Sequence, residues 1–152
     1  MIKMRTSKQE DLSRVVELMN ICFKDEIELG MELPTPSLIA SRIEKEEIIL
    51  LVEEENSKLI AFALIQTETA AHPAEIHMLG VDPGYRRNGI GARIMEACID
   101  LARKHDWNKV KLYTRPWNVP MRKLLARFEF IPEGYLRKEH LDKDVILYSF
   151  FR

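Results

Sequence analysis

Hydrophobic and polar positions along this chain switch between two periods, and the switches lay out its elements. A short run at residues 2–5 predicts a strand. Behind it, Ser7 and Glu10 form an S-x-x-E capping box. Leu12, Val15, Val16, Leu18, Met19 and Cys22 then recur at helical spacing, which predicts a first helix over residues 8–23. The segment KDEIELGMELPTP breaks that period with acids, Gly30, Pro34 and Pro36, and reads as a loop leading into a second helix at 37–45. EIILLVEE and KLIAFALIQTE are long aliphatic runs on either side of the turn-like Glu55-Asn56-Ser57, the pattern of an antiparallel hairpin.

The strand pattern of AEIHMLGVD ends at Pro83-Gly84. From Gly89, the positions Ile90, Ile94, Ala97, Cys98 and Leu101 share one helical face, predicting a helix that runs to His105. NKVKLYTR predicts a strand, NVPMRKLLARF a short helix and DVILYSFF a last strand, with one more short strand near Phe130. The order is β-α-α-β-β-β-α-β-α-β. A β-α-β connection around Gly89 requires one parallel strand pair among antiparallel neighbours, so the expected fold is α/β, a mixed sheet flanked by helices on both faces. No repeat or linker interrupts the pattern, so one domain spanning 1–152 is expected.

Composition narrows the function classes. With 46% hydrophobic and 31% charged residues and a formal charge of −1, the chain has no basic excess, which argues against nucleic acid as a main partner. No run approaches the roughly 18 apolar residues of a membrane span, and the N-terminus carries no apolar leader. The two cysteines, Cys22 and Cys98, sit in helical apolar patterns without a CxxC or a Cys/His cluster, so no metal site is expected and both read as small buried hydrophobes. A cytoplasmic protein is the expectation.

Two of only six glycines stand one residue apart in VDPGYRRNGIGARIMEAC, at a predicted strand-to-helix junction. The first N–H groups of a helix have no intrahelical partner and carry the positive end of its dipole, so such a junction attracts anions. Gly89 and Gly91 leave those amides open to a pyrophosphate, and Arg86 and Arg87 add positive charge. The stretch is neither a Walker loop nor a G-x-G-x-x-G fingerprint. On spacing alone, ordinary turn chemistry explains it equally well.

The same stretch resembles the cofactor loop of the GCN5-related N-acetyltransferases. Their Q/R-x-x-G-x-G/A motif stands here as Arg86-Arg87-Asn88-Gly89-Ile90-Gly91, preceded by HMLGVDPGY, which is similar to the strand and turn leading into it. The opening MIKMRTSKQEDLSRVVELM, the element order and RPWNVPMRKLLARFEFIPEG extend the likeness over nearly the whole chain. The resemblance implies acetyl-CoA lying between splayed central parallel strands, here residues 75–81 and 109–114. It places the pyrophosphate on Arg87, Asn88, Gly89, Ile90, Gly91 and Ala92, beside Arg86 and Asn118. A backbone N–H within Leu79 to Val81 would meet the negative charge developing on the thioester oxygen. Gly80 suits a bulge that opens the sheet there.

The resemblance also implies an amine acceptor, a small-molecule amine, a polyamine or a peptide N-terminus, with the acetyl group transferred directly in a ternary complex. Glu75, fourteen residues before Gly89, stands where a catalytic glutamate stands in histone-acetylating members, with a structural ion pair as its alternative reading. His77 is the second candidate base. The family tyrosine that protonates the departing sulfur is replaced by Leu125, and the family glycine near Phe130 by Glu129. Tyr113, Tyr135 or Tyr148 could supply the acid instead, Tyr135 being placed with Glu75 and His77 in the catalytic set, while Trp117 is expected to pack. Asp25, Glu26, Glu28 and Glu32 form an acidic stretch on the expected acceptor side, suited to a cation or to plain solvation. The C-terminal YLRKEHLDKDVILYSFFR is loosely similar to enzymes acetylating ribosomal-protein N-termini. An N-acetyltransferase is the expected function, a homodimer stays open, and a non-catalytic acyl-CoA sensor is the alternative.

Overall fold

The computed structural model describes residues 2–67 and 73–152; the last residue of the predicted KLIAFALIQTE strand, Glu68, lies outside them. The elements run β1 (Ile2–Thr6), α1 (Leu12–Cys22), α2 (Lys24–Glu28), α3 (Pro36–Glu44), β2 (Ile48–Glu55), β3 (Lys58–Gln66), β4 (Ala74–Val81), α4 (Ile90–Lys104), β5 (Lys109–Thr114), α5 (Val119–Arg127), β6 (Ile131–His140) and β7 (Lys143–Phe151). The strands form one sheet in the order β1-β2-β3-β4-β5-β7-β6. Among the described residues only β4 and β5 pair in parallel; the other neighbours are antiparallel. The α/β architecture expected from the pattern is therefore the one observed.

Each face of the sheet buries its own core. Alternation along β3 sends Ala61, Ala63 and Ile65 to the side covered by Ile94, Met95, Cys98 and Ala102 of α4. Phe62 and Leu64 point the other way, onto Leu12, Val15, Leu18 and Met19 of α1 and Ile39 of α3. Full burial of an Ile, Leu or Met side chain stabilises by about 1.5–3 kcal/mol, so these two stripes hold the helices to the sheet. The β2–β3 hairpin turns through Asn56 (φ 51°) and Ser57 (φ 67°), two successive left-handed residues as in the turns that match strand twist. Cys98 lies in the α4 core, where burial pushes its thiol pKa up to about 12.

Three expectations change. The cap of the first helix is not the Ser7–Glu10 box. Asp11 accepts the Lys8 N–H at 2.6 Å and takes both arms of Arg5, at 2.7 and 3.1 Å, so the Arg5 guanidinium holds the Asp11 carboxyl below its usual range. A short 3-10 turn at Gln9–Asp11 precedes α1 as a result. Part of the supposed acidic loop is helical, forming α2. The short strand near Phe130 is the ten-residue edge strand β6, which begins after Phe130 and is mostly exposed.

Candidate active site

The parallel contact between β4 and β5 is confined to Ala74↔Val110 and Glu75↔Lys111. Beyond it the strands diverge, each keeping its outer partner, β3 for β4 and β7 for β5. Their inner edges from Ile76 to Val81 and from Leu112 to Thr114 then line an open cleft of about 810 Å³. Backbone groups facing it have no strand partner and can hydrogen-bond an extended ligand.

A bulge shapes β4, but not at Gly80. The register passes from Leu64↔Met78 to Ile65↔Ile76, so the extra residue is His77. Ala74 and Ile76 therefore face α4, whereas Met78 beyond the bulge faces α1. Gly80 pairs regularly with Phe62, and its lack of a side chain has another cause. A Cβ there would lie 2.8 Å from Phe62 Cε1 and 3.0 Å from the Cys22 Cβ and Sγ, so glycine lets the end of α1 close onto the strand. Cys22 is consequently only half-buried, at the cleft wall, with its thiol donating to the Val81 carbonyl at 3.4 Å; burial raises its pKa, against the neighbouring Arg86 cation.

The turn after β4 is anchored at Asp82, which accepts the Gly84 N–H at 2.9 Å and the Arg14 guanidinium at 2.9 Å. Arg87 (φ 70°) and Gly89 (φ 73°) then take left-handed conformations before α4 begins at Ile90. The first α-helical bond of this helix runs from the Arg93 N–H to the Gly89 carbonyl, so the amides just before Arg93 point out of the helix end. A Cβ added at Gly89 would meet no atom within 4 Å, which makes the space above those amides open. Arg86 folds back to donate to the Val81 carbonyl at 3.1 Å, while among the described residues the Arg87 side chain has no partner. Asn118 caps α5 by accepting the Met121 N–H at 3.2 Å, and Met121 and Leu124 of that helix close this half of the cleft. The cofactor-side residues expected from the sequence thus meet at one rim: Leu79, Val81, Arg86, Arg87, Gly89, Ile90, Gly91 and Asn118 all line the cleft. Asn88 and Ala92 do not; Asn88 instead donates to the Tyr85 carbonyl at 3.2 Å.

The other half is built from distant segments: Phe23, Asp25, Glu26 and Leu29 around α2, Tyr113 and Arg115 from the end of β5, and Trp117. Of the four acids considered above, Glu28 and Glu32 do not line the cleft. Glu26 accepts the Arg115 Nε and Nη2 at 2.7 and 3.1 Å, leaving Asp25 without a cation partner among the described residues. Trp117 does not pack into the core but is 61% exposed, with the Arg115 guanidinium 5.8 Å from its ring.

The expected catalytic trio is brought together only in part. His77 lines the cleft, and its Nδ1 lies 3.2 Å from the Glu75 carboxylate. Glu75 itself does not reach the cleft, being held between His77 and the Lys111 ammonium at 3.8 Å. Tyr135 stands outside the cleft on β6 and donates its hydroxyl to Asp144 at 2.8 Å, a bond that raises the phenol pKa. Tyr148 is buried, and its hydroxyl accepts from Arg122 Nε at 3.2 Å. Tyr113 is the tyrosine that lines the cleft, while Leu125 is fully buried. Sequence reasoning missed Arg115 altogether; its bond to Glu26 spans 89 residues and leaves no local signal.

Three kinds of comparison bear on this arrangement. The family model described as the acetyltransferase (GNAT) family matches residues 12–130. Among curated proteins, the mycothiol acetyltransferase of Clavibacter michiganensis subsp. michiganensis is 30% identical over 83 residues, 55% of this chain and 26% of that protein. The chain thus spans about a quarter of the length of the curated relatives it matches. Among solved structures, the ribosomal-protein-S18-alanine N-acetyltransferase of Escherichia coli superposes with a TM-score of 0.81 at 20% identity, covering 99% of this chain and 94% of that one. The protein yncA of Salmonella typhimurium, solved with its cofactor acetyl-CoA, gives 0.81 at 16% identity over 99% and 93%. At such identities these structural likenesses speak for the fold.

Proposed function

The chain belongs to the acetyltransferase (GNAT) family, and on that premise we propose that it transfers the acetyl group of acetyl-CoA to an α-amine, such as the N-terminus of a peptide. The observation that carries the reading is the cleft itself: two parallel strands that stop pairing after Glu75↔Lys111 and open onto the free N-terminus of α4. The fit is physical. The open space at Gly89, the unpaired helix amides and the free Arg87 suit a pyrophosphate. The unpaired edges of β4 and β5 suit the amides of a pantetheine arm. When bound, acetyl-CoA supplies the activated acyl group. The backbone N–H groups at Leu79 to Val81 are the donors available to the thioester oxygen.

The acceptor must arrive as a free amine. His77 is the base in this proposal, with Glu75 as its support. When Nδ1–H donates to Glu75, Nε2 is left as the lone pair facing the cleft. An imidazole suits an α-amine of pKa about 7.7–8.0, whose deprotonation at pH 7 costs about 1 kcal/mol; a lysine-type amine would cost about 4–5 kcal/mol. The charge distribution supports the same choice. Since Arg115 neutralises Glu26, Asp25 alone of the four acids is left to attract a cation in the cleft, enough for one ammonium and too little for a polycation. Tyr113 is the cleft hydroxyl nearest in kind to the acid that Leu125 cannot provide. Without it the departing thiolate, of a thiol with pKa near 8.5, is uphill at pH 7 by only about 2 kcal/mol.

The test is thermal unfolding with and without acetyl-CoA, followed by thiol release across peptide N-termini, lysine side chains and polyamines. Ligand at a hundred times its dissociation constant should add about 2.7 kcal/mol to stability. Release with peptide N-termini in preference to polyamines is the expected result. A stability shift with no release from any amine would instead favour an acyl-CoA sensor.

A further inference from the structure

We propose that Arg115 is a positioning residue for the acceptor half of the cleft, a clamp that sets α2 against the end of β5. The inference rests on the acetyl-transfer reading but draws on different residues. The Arg115 side chain is only 8% exposed. Its Nε and Nη2 grip Glu26 at 2.7 and 3.1 Å. Its Nη1 donates to the carbonyls of His140 and Asp144 at 3.0 and 3.2 Å, and Nη2 also meets His140 Nδ1 at 3.2 Å. A guanidinium has five donors, and all are engaged, so this cation has nothing left for a phosphate or a carboxylate ligand. Because it can only donate, His140 Nδ1 is the acceptor and the ring is held in the tautomer protonated on Nε2.

What the clamp holds cannot hold itself. The helix α2 has five residues, none of them buried, far below the length at which a helix is stable alone. Yet its residues Asp25 and Glu26 form a wall of the cleft, and Leu29 follows directly. The Glu26 fork is what fixes that wall in register with Tyr113 and Trp117, which Arg115 lies between in the chain. The same guanidinium holds the carbonyls of His140 and Asp144 at the β6–β7 turn, so three separate segments meet on one side chain. Among the described residues the Arg115 guanidinium shares no hydrogen bond with the cofactor half; the link between them is a backbone one, from the Asn118 N–H to the Arg115 carbonyl at 3.0 Å.

The experiment compares Arg115→Lys, Glu26→Gln and the double variant with the wild-type chain. It measures KM for a peptide-amine acceptor, kcat, the dissociation constant of acetyl-CoA and backbone hydrogen exchange. Both single variants should raise acceptor KM, with kcat/KM for the acceptor falling by up to about a hundredfold, the scale of a misplacement of about 1 Å, and with acetyl-CoA affinity unchanged. Exchange at residues 24–28 should speed up while that at residues 86–92 holds. The double variant should be no worse than the poorer single one, since either change opens the same clamp. An acceptor KM moved by Glu26→Gln alone would mean that Glu26 touches the acceptor directly, and the clamp would be overturned. Unchanged exchange at 24–28 would overturn it too, even in a protein that transfers nothing. Absence of acetyl-CoA binding and thiol release in the wild-type chain would count against the acetyl-transfer reading alone.

Discussion

The two halves of the cleft are made in opposite ways. The half proposed for the cofactor rests mainly on one continuous stretch, from the open edge of β4 through Arg86 and Gly89 into α4, closed by Asn118, Met121 and Leu124, and what that stretch offers a ligand is mostly backbone amides. The acceptor half is a meeting of side chains from α2, the end of β5 and Trp117, joined by a bond 89 residues long in sequence. Backbone groups at a helix end need only a local conformation, which a few residues can dictate. Side chains that converge from separate segments need the whole fold, so this half can vary with little change to the other.

The sharpest way to break the contrast is the paired charge reversal Arg86→Glu/Arg87→Glu. Each lost charge-assisted bond is worth about 1.5–3 kcal/mol, so acetyl-CoA affinity should fall by two to four orders of magnitude. Because both side chains are exposed, with Arg87 unpartnered among the described residues and Arg86 making an exposed bond to the Val81 carbonyl, the melting temperature without ligand should move far less than the cofactor affinity. An unaltered dissociation constant would detach the loop from cofactor binding. His77→Gln comes next. General base catalysis contributes at least about a hundredfold, so kcat should drop on that scale with acetyl-CoA affinity intact, and Glu75→Gln should give a smaller loss of the same kind. Equal kcat in His77→Gln across several pH values would remove the base from the mechanism.

Gly80 lies where the halves share a wall, and Gly80→Ala tests it by stability rather than binding. The new methyl would fall 2.8 Å from Phe62 and 3.0 Å from Cys22, both in or beside the α1 core. Overpacking of this sort costs about 1–3 kcal/mol, readable in urea unfolding. A neutral result would show that the end of α1 can yield, and the close approach would not be why glycine stands there.

Legibility followed the same division. The loop, the hairpin through Asn56 and the strongly periodic α4 were open to reading because their signals are local. Three features were not. The helix α2 buries none of its five residues, so KDEIE carries no apolar stripe, and next to Gly30 it looks like a loop. The edge strand β6 is exposed along most of its length, and Pro132 and Gly134 mark it as a turn to any reading based on alternation. The bulge sits at His77 and not at Gly80 because only the pairing register with β3 decides which residue is extra. That shift matters to the site, since the bulged histidine is the cleft-facing base candidate. Glu75, singled out by its spacing to the glycines, is held behind it by Lys111.

The smallest effect separates family pattern from function. By the resemblance of RPWNVPMRKLLARFEFIPEG to the family pattern, Glu129 stands where many members carry glycine, and its φ of 64° is left-handed. A residue with a Cβ gives up about 1–2 kcal/mol there, while glycine adopts the angle freely but loses more backbone entropy on folding. The difference leaves Glu129→Gly more stable by about 0.5–1 kcal/mol. Glu129 does not line the cleft, and its N–H already closes the end of α5 onto the Ala126 carbonyl at 3.1 Å. Acetyl-CoA affinity and kcat should therefore stay as they are while the unfolding midpoint rises. A glycine that raised kcat instead would mean that the α5 terminus moves during turnover, and that the cofactor half is less self-contained than its continuous backbone suggests.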